Sequence, residues 1–207
     1  MTLLTFLDHA SVFVFALTGA LVASRAQLDI VGFVFIASLT AVGGGTIRDV
    51  ILNRDTVFWV ANPTYIGVAA AAALGVFFTA HLLESRYRAI LWLDACALAV
   101  AVPAGVAVAL TMGQPRAIVV IMGITTGCFG GLMRDVVCNE VPLVLKQGEL
   151  YVTCALAGAG AALVALAFGL ATPLALLICA AATFALRAGS LAFGWRLGVY
   201  KAYPPRQ

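Results

Sequence analysis

Along this chain a stretch of about twenty apolar residues is closed, again and again, by a short charged or turn-forming break. Few folds accept that pattern, because a helix crossing hydrocarbon needs about 20 apolar residues and must satisfy its backbone hydrogen bonds internally. The breaks place seven stretches at about 9–24, 30–54, 64–83, 89–110, 117–140, 148–169 and 173–193. Composition decides between membrane spans and helices of a soluble core. Of 207 residues, 63% are hydrophobic and 10% charged, whereas soluble domains average roughly 45–50% and about 25%. The class is therefore all-α: a polytopic membrane protein with seven transmembrane helices. The first stretch is not read as a cleavable signal, since Asp8 and His9 stand where a basic n-region belongs.

A repeat sets the organisation. A shift of 86 positions lays Asp8 on Asp94, Gly19 on Gly105 and Thr40 on Thr126. The same shift lays Gly44-Gly45 on Gly130-Gly131, Arg48-Asp49-Val50 on Arg134-Asp135-Val136, Asn53 on Asn139 and Tyr65 on Tyr151. Apolar coincidences carry little weight in so apolar a chain; polar and glycine matches at one offset do. Three crossings per copy turn the second copy upside down relative to the first, the inverted arrangement of many transport proteins. Residues 1–88 form the first three-helix repeat, 89–171 the inverted second, and 172–207 the seventh helix and a tail, all within one membrane domain. Basic residues set orientation. With the N-terminus outside and the C-terminus cytoplasmic, Arg25, Arg86, Arg88, Arg134, Lys146, Arg196, Lys201 and Arg206 fall inside, against Arg48, Arg54 and Arg116 outside. The net charge of +3 is spread over short connections, which gives no basic stripe for nucleic acid.

Residues able to carry chemistry concentrate in two matched segments. Gly43-Gly44-Gly45 with Thr46, and Gly130-Gly131, precede Arg48-Asp49 and Arg134-Asp135 by about one turn. Adjacent glycines weaken a helix, and interruptions at matching places of inverted halves point to a midplane site or pore. The alternative is close helix packing on small residues. For the Arg-Asp pairs, a helix that stops at Ile47 makes the pair an interfacial anchor, whereas helices running on to Asn53 and Asn139 place the charges within the membrane thickness, facing a lumen or salt-bridged. Asp8 and Asp94 read as N-terminal caps. Tyr65 and Tyr151 read as interfacial rings, and Arg187 as a snorkelling or subunit-contact residue.

Neither a nucleophile–base constellation nor a phosphate-cradling loop is present in the sequence, so no enzyme and no resident cofactor is expected. Five cysteines without a CxxC pair, and His9 and His81 far apart, give no expected metal site.

At GGGTIRDVILNRDTVFWVANPTY and GCFGGLMRDVVCNEVPLVLKQGELY the sequence resembles prokaryotic members of the trimeric intracellular cation channel (TRIC) family, whose domain family also contains transporters of small amino acids such as glycine. The resemblance covers both repeats and implies a homotrimer in a prokaryotic inner membrane. Each subunit would carry its own pore for monovalent cations, K⁺ and also Na⁺, bounded by the glycine-kinked second and fifth spans. Bound lipid between subunits is compatible with such a trimer. The basic cluster where animal members hold phosphoinositide has only isolated counterparts here, such as Lys146 and Arg134. Two functions follow: a cation channel, or a carrier of a small zwitterion such as glycine. The small-residue runs at 67–75 and 155–161 are expected to pack helices within or between subunits.

Overall fold

The computed structural model describes residues 3–82, 86–146 and 150–198, without the side chains of Leu3, Leu4 and Arg86. Lys201 and Arg206 of the charge count lie outside the described residues. Among the described residues the helices are α1 (Leu3–Arg25), α2 (Ile30–Ile51), α3 (Phe58–Ala61), α4 (Thr64–Thr79), α5 (Arg86–Thr111), α6 (Arg116–Val137), α7 (Val152–Ala167) and α8 (Thr172–Phe193). Short 3₁₀ turns cover Ala80–Leu82 and Leu143–Leu145. Six helices are long and apolar enough to cross a membrane, and α7 is a shorter apolar helix of 16 residues. The all-helical membrane class and the seven-helix order read from the sequence stand.

Helix ends repeat between the halves as the sequence does. Gln27 and Gly113, which follow α1 and α5, both adopt left-handed φ, at 53° and 66°. Asn53 and Asn139, which follow α2 and α6, do the same at 50° and 55°. Behind Asn53 the amide of Arg54 reaches the Asp49 carbonyl at 3.0 Å and that of Asn53 the Val50 carbonyl at 3.1 Å. Glu140 to Asp135 at 2.8 Å and Asn139 to Val136 at 3.1 Å repeat the motif. This is a Schellman closure, in which asparagine tolerates the left-handed residue. The helices therefore run past Ile47 and carry the Arg-Asp pairs in their last turn, and they stop at Ile51 and Val137, two residues short of Asn53 and Asn139.

Within the first repeat α1, α2 and α4 pack on one another, and α5, α6 and α7 do the same within the second. The halves join through equivalent elements, α1 on α5 and α2 on α6, while α8 covers α5 and α7. Alanine, valine and glycine fill these contacts, so α5 lies enclosed with Ala97, Leu98, Ala101 and Val102 wholly buried. Small side chains allow such close approach where lipid offers no hydrophobic drive for association.

Candidate functional site: the α2–α6 crossing and its buried charges

Both glycine segments lie in unbroken helix. The interruption expected from their sequence is absent, and the glycines serve close approach instead. A Cβ on Gly44 would overlap the Thr126 carbonyl oxygen, and one on Gly130 would overlap the Thr40 carbonyl oxygen. The two backbones therefore touch twice, each glycine against the other helix, with Thr40 and Thr126 back-bonded to Ile36 and Met122 at 2.6 and 2.7 Å. Gly43 lies beneath the Met133 side chain and Gly45 beneath the Phe58 ring. Gly131 faces the Tyr151 hydroxyl, which stands 3.4 Å from where its Cβ would be. Thr46 donates to the Val42 carbonyl at 2.7 Å and accepts the Trp59 indole N–H at 2.9 Å.

One turn beyond each crossing lies a buried charge network. In the second half Arg134, wholly buried, donates through Nε to Asp135 at 2.7 Å. Its Nη1 donates to Asp94 at 2.8 Å and to the Thr18 hydroxyl at 2.9 Å. Asp94 also accepts the Tyr151 hydroxyl at 2.8 Å, and the Arg187 guanidinium stacks 5.0 Å from the Tyr151 ring centroid. The second oxygen of Asp135 accepts the amide of Leu143 at 2.9 Å and so anchors the short turn that follows α6.

The first half repeats this plan with different partners. Arg48 donates through Nε to Asp49 at 2.7 Å, and Asp49 accepts the Phe58 amide at 2.9 Å, which anchors α3. Arg54 reaches both oxygens of Asp49 at 3.2 Å. Asp8 stands 3.5 Å from Arg48 Nη1, beyond good hydrogen-bond geometry. Nη1 and Nη2 of Arg48 thus lack hydrogen-bond partners among the described residues. The Phe58 ring covers the guanidinium at 5.4 Å, and Tyr65 meets Phe58 edge-on and His9 at 4.1 Å.

Several sequence expectations change here. Asp8 and Asp94 lie inside α1 and α5 as partners of arginine, not at helix starts as caps. Tyr65 and Tyr151, at the starts of α4 and α7, are buried among protein side chains. Arg187 is buried and stacked rather than snorkelling. Gly158 faces Thr183 and the Cys179 carbonyl of α8, so this part of the small-residue run packs within the subunit. Asn53 and Asn139 are exposed, each in the lining of a cleft at opposite ends of the crossing. Thr18 is the partner that sequence reading missed, since it comes from 116 residues away and has no polar counterpart at Ala104. Among the described residues no group of three His, Cys, Asp or Glu could hold a metal ion.

The family model described as glycine transporter matches residues 5–81 and again 91–167, once per repeat. A UPF0126 membrane protein of Vibrio cholerae is 37% identical over 202 residues, covering 96% of this chain and 82% of the relative. The UPF0126 inner membrane protein YadS of Escherichia coli is 39% identical over 160 residues, 75% of each chain. Among solved structures, the TRIC trimeric intracellular cation channel orthologue from Rhodobacter sphaeroides superposes with a TM-score of 0.90 at 44% identity, covering 94% of this chain and 100% of that one.

Proposed function

This chain belongs to the prokaryotic TRIC family, to which the glycine-transporter model and the channel structures relate it, and from that premise we propose a homotrimeric channel for monovalent cations, K⁺ with Na⁺ also permeating. Each subunit carries its own path, bounded by α2 and α6. The observation that carries this reading is the reciprocal crossing at Gly44 and Gly130, with a charge network beyond each end. At this crossing the helices meet backbone to backbone at Gly44 and Gly130, with the Met133 side chain laid over Gly43, and the narrowest part of the path lies here. Gly43, Gly45 and Gly131 keep the neighbouring turns slim. Arg48-Asp49 and Arg134-Asp135 fix the helix ends, Thr46 steadies α3, and Asn53 and Asn139 stand at the two mouths. The inner-membrane relative supports an inner-membrane protein, and the charge bias of the connections supports an N-terminus outside.

The experiment is reconstitution of purified protein into planar bilayers with unequal KCl. Unitary currents reversing near the K⁺ potential are expected. Reversal at the chloride potential, or no currents at any voltage, overturns the channel. The family description favours a second reading, a carrier of a small amino acid such as glycine. Saturable glycine uptake with counterflow in proteoliposomes is the result that would select it.

A further inference from the structure

Two clefts lie at the ends of the α2–α6 crossing, and the repeat relates them. One, of about 460 Å³, is lined by Asn53, Arg54, Asp55, Thr56, Ala61 and Met112. The other, of about 380 Å³, is walled by Leu28 with Phe35 and Ile36 of α2 on one side and by Val137, Cys138 and Asn139 on the other, so that its polar groups lie at the Asn139 rim. Asn53 corresponds to Asn139, and Ala26 to Met112, by the 86-residue offset. The rims differ. At the Asn139 cleft Arg25, from the end of α1, pairs with Glu140, just past α6, at 3.2 Å, with both side chains about a third exposed. The bridge runs between the chain neighbours of Ala26 and Asn139, two residues of the lining, and joins opposite repeats 115 residues apart. At the Asn53 cleft the equivalent of Arg25 is Thr111, whose hydroxyl donates to its own helix at Val108. The equivalent of Glu140 is Arg54, which turns back to Asp49.

We infer that the cleft beside Asn139 is one entrance for hydrated monovalent cations and that the Arg25–Glu140 ion pair is a strap across it; this rests on the channel reading above. An ion pair that water reaches is weak and opens readily. Arg25 has a second resting place, since its guanidinium already lies 5.1 Å from the Tyr87 ring centroid. Lys146 holds that ring from its other contact, donating to the Tyr87 hydroxyl at 2.6 Å. Opening the strap therefore frees the Glu140 carboxylate at the rim, where negative charge raises the local cation concentration. Among the described residues the Asn53 cleft has no such cover, and the two ends of the path respond differently.

Cys138 lines the strapped cleft and reports on it directly. Purified full-length protein is treated with a trimethylammonium thiosulfonate, and modification of Cys138 is timed by peptide mass spectrometry in parent, Glu140→Gln, Arg25→Gln and the reversed pair Arg25→Glu/Glu140→Arg. Both single variants should be modified about two- to fivefold faster, the range that a partly exposed ion pair supports. The reversed pair should return toward the parent rate. Local electrostatics alone would move the two single variants in opposite directions, so a common rise is diagnostic of opening. Added salt should speed the parent and leave Glu140→Gln unchanged. Rates unchanged in both single variants, or a rise that persists in the reversed pair, overturn the strap. Modified channels should carry smaller unitary currents, and undiminished current overturns the entrance. Absence of current in the parent overturns the channel reading itself, while the labelling rates judge the strap independently.

Discussion

Arg134 donates to Asp94 at 2.8 Å with both side chains wholly buried, which ties α6 to α5 across 40 residues of sequence. Its counterpart in the first half, Arg48 with Asp8, stands at 3.5 Å with Asp8 reached by solvent. The same pair of residue types is thus tight in one repeat and loose in the other. Thr18 and Tyr151 add to the tight one, in which Nη2 of Arg134 still lacks a hydrogen-bond partner among the described residues.

Breaking a buried ion pair by removing one partner costs about 3–5 kcal/mol, because the other charge is left behind. Asp94→Ala should therefore lose most of the protein's stability in detergent, and Asp8→Ala distinctly less. Thermal unfolding of the two variants side by side checks this. Equal losses would mean that the two networks carry the same load.

Glycine substitutions should split by what lies above each position. Gly130→Ala drives a methyl into the Thr40 carbonyl and should cost about 1–3 kcal/mol as overpacking. Gly75→Ala, with nothing within 4 Å, should stabilise α4 by about 0.5–1 kcal/mol through helix propensity. Melting temperatures in detergent should therefore move in opposite directions.

Gly158 and Gly160 lie two residues apart on α7 but face different surroundings. Gly158→Phe collides with Thr183 and should unfold the α7–α8 pair, whereas Gly160→Phe enters open space and should leave the subunit folded. Thermal melts test the first statement. Light scattering of the Gly160→Phe protein then tests whether that open face holds neighbouring subunits: a smaller particle is expected if it does.

Thr46→Val removes the acceptor for the Trp59 indole. The α3 turn keeps its anchor through the Asp49–Phe58 bond, so the protein should fold while Trp59 becomes wetter. A red shift in Trp59 emission, measured with Trp92 and Trp195 replaced by phenylalanine, is expected. An unchanged spectrum would show that packing alone seats the indole.

The repeat was legible because polar residues and glycines recur at one offset, and the spans because apolar runs end at charges. Asn53 and Asn139 mark helix ends, a local signal present in both copies, since asparagine closes a helix in the left-handed conformation; the match between repeats alone does not tell a shared helix from a shared end. The glycine segments were ambiguous for a physical reason: sequence shows that a side chain is missing but not what fills its place, and here a carbonyl from the partner helix does. Asp8 reads as a cap because the first apolar run starts just after it, and Asp94 because the repeat lays it on Asp8, although Asp94 lies inside the run at 89–110. Thr18 and Arg187 were unreadable as network members, since their partners come from other helices and neither has a polar equivalent in the other half.

The α2–α6 contact is reciprocal: Gly44 meets Thr126 as Gly130 meets Thr40. An interface in which each side presents the same patch to the other is isologous. A three-helix chain carrying one copy of that patch could dimerise through it only by inserting into the membrane in both orientations. Joining two copies in one polypeptide fixes one copy each way up, and each half then becomes free to diverge. Glu140 opposite Arg54 is such a divergence, a change that a dimer of identical chains would have had to accept at both mouths at once.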